Sequence, residues 1–268
     1  MKKGVFAANK KDGTAYFRAS ISFKGKHISL GSFDSEDEAA KAYNVARVIL
    51  DYAEQGFKSE NEWRFRIDDY SAKKHALSFE KWVVLINLQD NGIYVRNPIY
   101  LEKKSFLYYF GVNDFMRFDN EDLFYYSHHK IVRRGGHLFV ENCGMQENIL
   151  NRYGIKNYAL KDKDYFFVNG DDKDFRYENI EIVNHYHGVT RQLLSGREVF
   201  ITKIQINGAN IVGRYSNEVD AALAYNKAAD YRERHGDKKA YPRNYVDLPE
   251  YELIARYNKV RVAKQFKD

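Results

Sequence analysis

Side chains that take a proton or hold a metal near neutral pH are chiefly histidine and cysteine. The chain has eight of the first and one of the second. Cys143 alone builds neither a disulfide framework nor a cysteine zinc cluster. His128-His129 and His185 with His187 are the histidine groups able to supply a base. Adjacent strand residues point to opposite faces, however, and a lone histidine beside a hairpin is most often structural. No histidine lies between Val140 and Val183. What recurs instead, near both ends, is Lys, Arg, Ser and Gln alternating with apolar residues.

Strands must present those alternations. Phe17, Ala19, Ile21 and Phe23 are apolar while Arg18, Ser20 and Ser22 lie between them, the pattern of a half-buried strand. Turns at Asp12-Gly13 and Lys24-Gly25 predict a three-stranded antiparallel meander. Ser35 with Glu38 forms a capping box, and Ala39, Ala40, Tyr43 and Ala46 follow at helical spacing. A helix of small residues thus covers one sheet face and leaves the other polar and open.

The same arrangement occurs a second time. Gly4-Val5, Leu30-Gly31 and Ala39-Ala40-Lys41-Ala42-Tyr43-Asn44 return as Gly188-Val189, Val212-Gly213 and Ala221-Ala222-Leu223-Ala224-Tyr225-Asn226. Ser195-Gly196 and Asn207-Gly208 mark the turns of the second copy. There Phe200, Thr202 and Ile204 are expected inward, Ile201, Lys203 and Gln205 outward, and Ser216 as the helix cap. Copies this far apart are two modules rather than a solenoid, whose units abut.

Each copy resembles the ethylene-response-factor (Apetala-two) type of DNA-binding domain, found in plant regulators and in phage and bacterial homing nucleases. That resemblance implies a sheet laid in the major groove, where the donor and acceptor code is fullest. Carried over by position, the reading face of the first copy is Lys3, Phe6, Arg18, Ser20, Ser22, His27 and Ser29. In the second copy it is His187, Thr190, Lys203, Gln205, Ala209 and Ile211. Both faces depart from the plant pattern, which is rich in Arg and Trp, so few bidentate guanine contacts are on offer.

Between the copies, Trp82 to Leu88 and Ile93 to Val95 flank Asp90-Asn91-Gly92, and Lys130 to Arg134 and His137 to Val140 flank Gly135-Gly136. Two hairpins are expected there. Then Val168-Asn169-Gly170-Asp171, Asp174, Arg176, Glu178-Asn179-Ile180 and Ile182-Val183, within residues 164–183, resemble the second half of an HNH nuclease motif. The resemblance implies a ββα element in which a strand histidine is the general base, a second residue orients it, and a metal ligand lies on each side. Phe166 holds the metal position, Phe167 the base, Phe175 the orienting position, and Asn179, expected to open the helix, alone survives. A phenyl ring neither accepts a proton nor coordinates Mg²⁺, so the expected core is catalytically silent and filled by aromatic rings.

The expected architecture is α+β: two three-stranded-sheet-plus-helix modules at 1–60 and 185–250, flanking an HNH-like domain at 61–184, with a basic tail at 251–268, disordered from Lys259 to Asp268. Charge is distributed in keeping with this, at +2 for residues 1–60, −1 for 61–184 and +5 for 185–268, within the total of +6. The positive ends suit phosphates. The basic start, Met1-Lys2-Lys3, is followed by too short an apolar run for a signal peptide, and no segment is long enough to span a membrane. The expected protein is a soluble, cytoplasmic binder of double-stranded DNA, from a bacterial or phage-infected cell, without cofactor. It descends from a mobile-element homing endonuclease and acts by occupying a site, as in transcription regulation. Two alternatives stay open: a nicking enzyme using Mg²⁺ at an atypical site, and a protein-binding inhibitor or scaffold.

Overall fold

The computed structural model describes residues 1–55, 64–142 and 145–267, which excludes Cys143 and the expected end of the first module at residue 60. Two compact units are present: Met1–Gln146 with Asp172–Tyr177, and Glu147–Asp171 with Glu178–Asp268. The chain is mixed α+β, with several small three-stranded antiparallel sheets.

The first unit opens with the meander β1 (Val5–Asn9), β2 (Ala15–Phe23) and β3 (Lys26–Phe33). A five-residue loop, Lys10–Thr14, joins the first pair of strands. Lys24 and Gly25, both at positive φ, form the two-residue turn of the second pair. Ala19, Ile21, Phe23, Ile28 and Leu30 are buried against Ala39, Ala42, Tyr43, Ala46 and Ile49 of α1 (Glu36–Gln55). Ser35 Oγ accepts from the Glu38 amide at 3.2 Å at the head of that helix. After α2 (Ala72–His75), α3 (Phe79–Asn91) joins the same core through Trp82, Leu85 and Ile86.

That helix replaces the hairpin expected around Asp90-Asn91-Gly92. Ser78 caps it by accepting from the Lys81 amide at 3.3 Å, and Gly92 ends it in the left-handed region. Every residue from Trp82 to Gln89 is buried, so no polar stripe marks a helical period. β4 (Ile99–Leu101), β5 (Ser105–Gly111) and β6 (Asp114–Asp119) form a second sheet, followed by α4 (Leu123–His128). The hairpin of β7 (Ile131–Arg134) and β8 (His137–Asn142) does turn at Gly135-Gly136, both at positive φ, and β9 (Met145–Asn148) follows.

The second unit contains the short pair β10 (Tyr165–Phe167) and β11 (Ile180–Ile182), then the meander β12 (Val189–Leu194), β13 (Arg197–Gln205) and β14 (Ala209–Tyr215). Asn179 closes a single 3-10 turn, Tyr177–Asn179, and the helix expected to open there is a strand. Phe167 pairs with Ile180 and Tyr165 with Ile182, so ladder bonds take the amides a helix would have used. α5 (Glu218–Arg234) covers the second meander with Ala221, Ala222, Tyr225, Ala228 and Ala229. Its cap is Asn217, whose Oδ1 accepts from the Asp220 amide at 2.8 Å, and not Ser216. Asn217 is the residue aligned with Ser35 in the repeat.

After α6 (Glu250–Lys259) the chain corrects the disorder expected from Lys259 onward: Val260, Val262 and Phe266 are buried in the core of the second unit. Lys227 Nζ donates to the carbonyls of Tyr257, Asn258 and Val260 at 3.1, 3.2 and 3.1 Å, closing the orphan carbonyls at the end of α6.

The two meanders share one device. Gly4 and Gly188 sit at φ of +74° and +73°, and a Cβ there would lie 2.0 Å from the Tyr43 ring and 2.5 Å from the Tyr225 ring. The Gly4 carbonyl accepts from Ser20 N at 3.0 Å, and that of Gly188 from Lys203 N at 2.8 Å. At this point the third strand of each meander carries a bulge: register shifts between Ala19 and Ser20, where Leu30 of β3 is skipped, and between Thr202 and Lys203, where Val212 of β14 is skipped. Gly4→Ala and Gly188→Ala each force an L-residue into the left-handed region against a ring. The expected cost is roughly 2–4 kcal/mol in urea unfolding. A loss below about 0.5 kcal/mol, the ordinary surface-substitution range, would refute the close approach as a determinant.

Candidate nucleic-acid interface

On the first meander the face away from α1 is open. Register aligns Phe6 with Arg18 and Ser32, Ser20 with Ser29, and Ser22 with His27. Lys3, Phe6, Arg18, Ser22, His27 and Ser29 are exposed and Ser20 half-buried. The centre of the face is therefore low and hydroxylated, and each hydroxyl both donates and accepts. Arg18 is aimed by Tyr16, whose hydroxyl accepts from Arg18 Nε at 2.9 Å while the guanidinium lies over the ring at 5.3 Å. Lys24 and Lys26 extend the positive rim at the hairpin tip.

The second meander differs at the corresponding row. Lys203, Gln205, Ala209 and Ile211 are exposed, and Thr190 is half-buried. Ile201, expected outward and aligned with Arg18, is only 6 % exposed. A hollow of about 440 Å³ lies between Tyr158, Leu160, Lys163 and Asp164 on one side and Thr190, Gln192, Lys203, Gln205 and Ala209 on the other. The chain before β10 thus overhangs the outer face of this sheet. His187 lies at its margin, edge-on to Tyr158 and Tyr225 at 4.6 and 5.1 Å. The Asn244 side chain brackets its backbone, accepting from His187 N at 2.7 Å and donating to its carbonyl at 3.0 Å. Burial holds its imidazole below the usual histidine range.

The HNH-like residues are divided between the units. In the first, Phe175 is buried and stacks on Phe118 at 5.6 Å, with Phe118 against Tyr126 at 4.7 Å. Arg176 grips Asp174 through Nε at 2.9 Å and Nη2 at 2.6 Å, and the segment is tied to β6 by Arg117 N to Lys173 O and Phe175 N to Arg117 O. In the second unit, Phe167 is half-buried edge-on to Tyr165, and Phe166 is 37 % exposed, so its ring fills no cavity. Asn179, only 3 % exposed, accepts from Asn169 N at 2.8 Å and donates to Asp171 O at 3.3 Å. Its side chain is committed to the backbone of loop 168–171.

The candidate histidines do not converge. His128 Nδ1 contacts Ser127 Oγ and Phe124 O, His129 Nδ1 lies 3.3 Å from Glu141 O, and His185 pairs with Glu218 at 3.0 Å. Among the described residues no three His, Cys, Asp or Glu side chains are grouped as a metal site, and no helix is long and apolar enough to cross a membrane. No family model, curated protein or solved structure matches this chain. The resemblance to sheet readers and HNH elements rests on the motif residues themselves.

Sequence reasoning took the basic strap after α6 for a disordered end. Its signal was the alternation of Lys259, Val260, Arg261 and Val262, exposed, buried, exposed and buried in the structure.

Asn179→Ala removes the side-chain bonds to the Asn169 amide and the Asp171 carbonyl and is expected to cost roughly 0.5–1.5 kcal/mol per bond in urea unfolding; an unchanged midpoint would detach Asn179 from the loop. His187 binds its proton less readily folded than unfolded. Its contribution is therefore complete above about pH 6.5 and falls away as pH drops below that value. His75, stacked on Trp82 at 4.3 Å and also lowered by burial, acts in the same sense. His187→Phe should flatten, in part, the decline of the thermal midpoint between pH 7 and 5; an undiminished slope would place the titration elsewhere.

Proposed function

We propose that this chain binds double-stranded DNA, laying the outer face of the β1–β2–β3 sheet in the major groove, without cutting it. The observation that carries the reading is that face: a bare, three-stranded surface with Arg18 held upright by Tyr16, serine hydroxyls around it and lysines at its rim. A ribbon of strands fits the major groove, where Arg addresses guanine and Ser addresses any base. Lys3, Phe6, Ser20, Ser22, His27 and Ser29 complete the surface, and Lys203, Gln205, Thr190 and Ile211 offer a second, partly overhung one.

Catalytic silence follows from the residues at the HNH positions. Phe167 stands at the general-base position and Phe166 at that of a metal ligand, while Asn179 serves the loop backbone. Losing a general base alone removes roughly two to four orders of magnitude in rate. Site occupancy is the remaining output: a cytoplasmic descendant of a mobile-element homing nuclease that blocks transcription or a competing enzyme. Two tethered weak readers gain from an effective concentration on the order of millimolar. A second reading, contact with a protein, is favoured by Leu193 and Leu194 at the tip of β12, 71 % and 42 % exposed.

Gel shifts over a salt series separate the two. DNA binding predicts a steep linear fall of log affinity with log salt, from counterion release. Arg18→Ala should weaken the selected site roughly 5- to 150-fold and relax its sequence preference. Lys203→Ala should weaken binding by about one phosphate contact. Supercoiled plasmid with Mg²⁺ or Mn²⁺ should stay intact; nicking abolished by changing Asn179 or His129 would establish the nuclease reading instead. Affinity indifferent to salt and to Arg18→Ala would overturn DNA binding.

A further inference from the structure

A groove of about 970 Å³ runs between β14 and the chain after α6, lined among others by Arg214, Tyr215, Arg256, Lys259 and Arg261, with Asp220 the one acidic side chain in its wall. Arg256 is committed, pairing with Glu252 at 2.9 Å and with Asp220 at 3.7 Å. Arg214, Lys259 and Arg261 are exposed and make no ion pair among the described residues. From Arg256 to Lys267 the chain carries Arg256, Lys259, Arg261, Lys264 and Lys267 and no carboxylate.

Such a density of like charge repels itself and favours an extended, solvated tail. Here it is held in place by four fastenings. Lys227 closes three carbonyls at the end of α6. Tyr215 Oη donates to Arg261 O at 2.7 Å, and Ala263 N donates to Val212 O at 2.8 Å. Val260, Val262 and Phe266 anchor the inner side in the core. Lys259 and Arg261 therefore stand outward on a preformed ledge beside the edge of the second sheet, their positive charge uncompensated. An ordered row of unpaired cations in a groove is what a polyanion backbone needs, because little ordering entropy remains to be lost when it binds.

We infer that this groove is a sequence-independent clamp for the phosphate backbone of duplex DNA, with Arg214, Lys259 and Arg261 as its contacts. The inference rests on the DNA-binding reading and deepens it by dividing the labour between the copies. The first copy keeps Arg18 on an open face and reads. The second has Ile201 at that position, buried, is overhung along Thr190, Lys203 and Gln205, and grips with its edge and strap.

The test is a salt series on the full chain with a selected duplex and a scrambled one, comparing wild type with Lys259→Ala/Arg261→Ala. Loss of two phosphate contacts should weaken binding roughly ten- to hundredfold at 0.1 M salt, equally on both duplexes, and lower the slope of log affinity against log salt by about two. Sequence preference should survive in this variant and relax in Arg18→Ala. The charge-keeping pair Lys259→Arg/Arg261→Lys should keep wild-type affinity and slope, and an unchanged urea midpoint in the double alanine variant separates lost contacts from a folding defect. A wild type that binds neither duplex sinks both readings. A wild type that binds, with the double alanine variant matching it in affinity and slope, sinks the clamp and leaves the reading sheet standing.

Discussion

Both small modules depend on the seating of a tyrosine ring against a backbone with no side chain. Tyr43 lies on Gly4 and Tyr225 on Gly188, at separations that any Cβ would fill. The ring fixes how close helix and sheet come. The glycine carbonyl bonds the central-strand amide at the point where the third strand carries its extra residue. Burial pushes the Tyr225 hydroxyl up to about 12, as befits a ring enclosed by protein. With that frame set on the inner side, the residues on the outer side carry little of the structural load and are open to change.

The copies have used that freedom differently. Where the first has Arg18 exposed over a hydroxylated sheet, the second has Ile201 buried, and where the first has Ser20, the second has Lys203. Thr202 in the second copy adds a buried hydroxyl bond to Ala221 O at 2.8 Å, in place of Ala19 in the first. Residues 158–164 overhang the second face along Thr190, Gln192, Lys203 and Gln205.

Much of this was legible before the structure. Alternation in Phe17 to Phe23, the glycine turns and the Ala-Ala-x-x-Tyr spacing defined both meanders and their helices, because each of those signals arises from one half-buried element. Most of the failures share a cause in tertiary context. α3 is buried on all sides and so lost its period, and read as strand. Ile201 looked outward by parity, which says nothing of what lies above a face. Asn217 took the cap because it, not Ser216, stands at the repeat position of Ser35. The tail looked disordered by charge, yet Val260, Val262 and Phe266 supply the apolar area that holds it. At the HNH-like positions the loss of histidine was plain in the sequence, whereas the service of Asn179 to its loop required coordinates.

The bulge that β3 and β14 share has a consequence for how such a module can diverge. Inner and outer rows alternate strictly, so one residue added between the turn and the bulge would turn every outer side chain inward. Length can therefore vary only at the hairpin tips. The copies show this, with a five-residue Lys10–Thr14 loop in one and Ser195-Gly196 alone in the other. The outer face is in effect a keyboard of fixed width: its letters can be replaced one by one, but no key can be added.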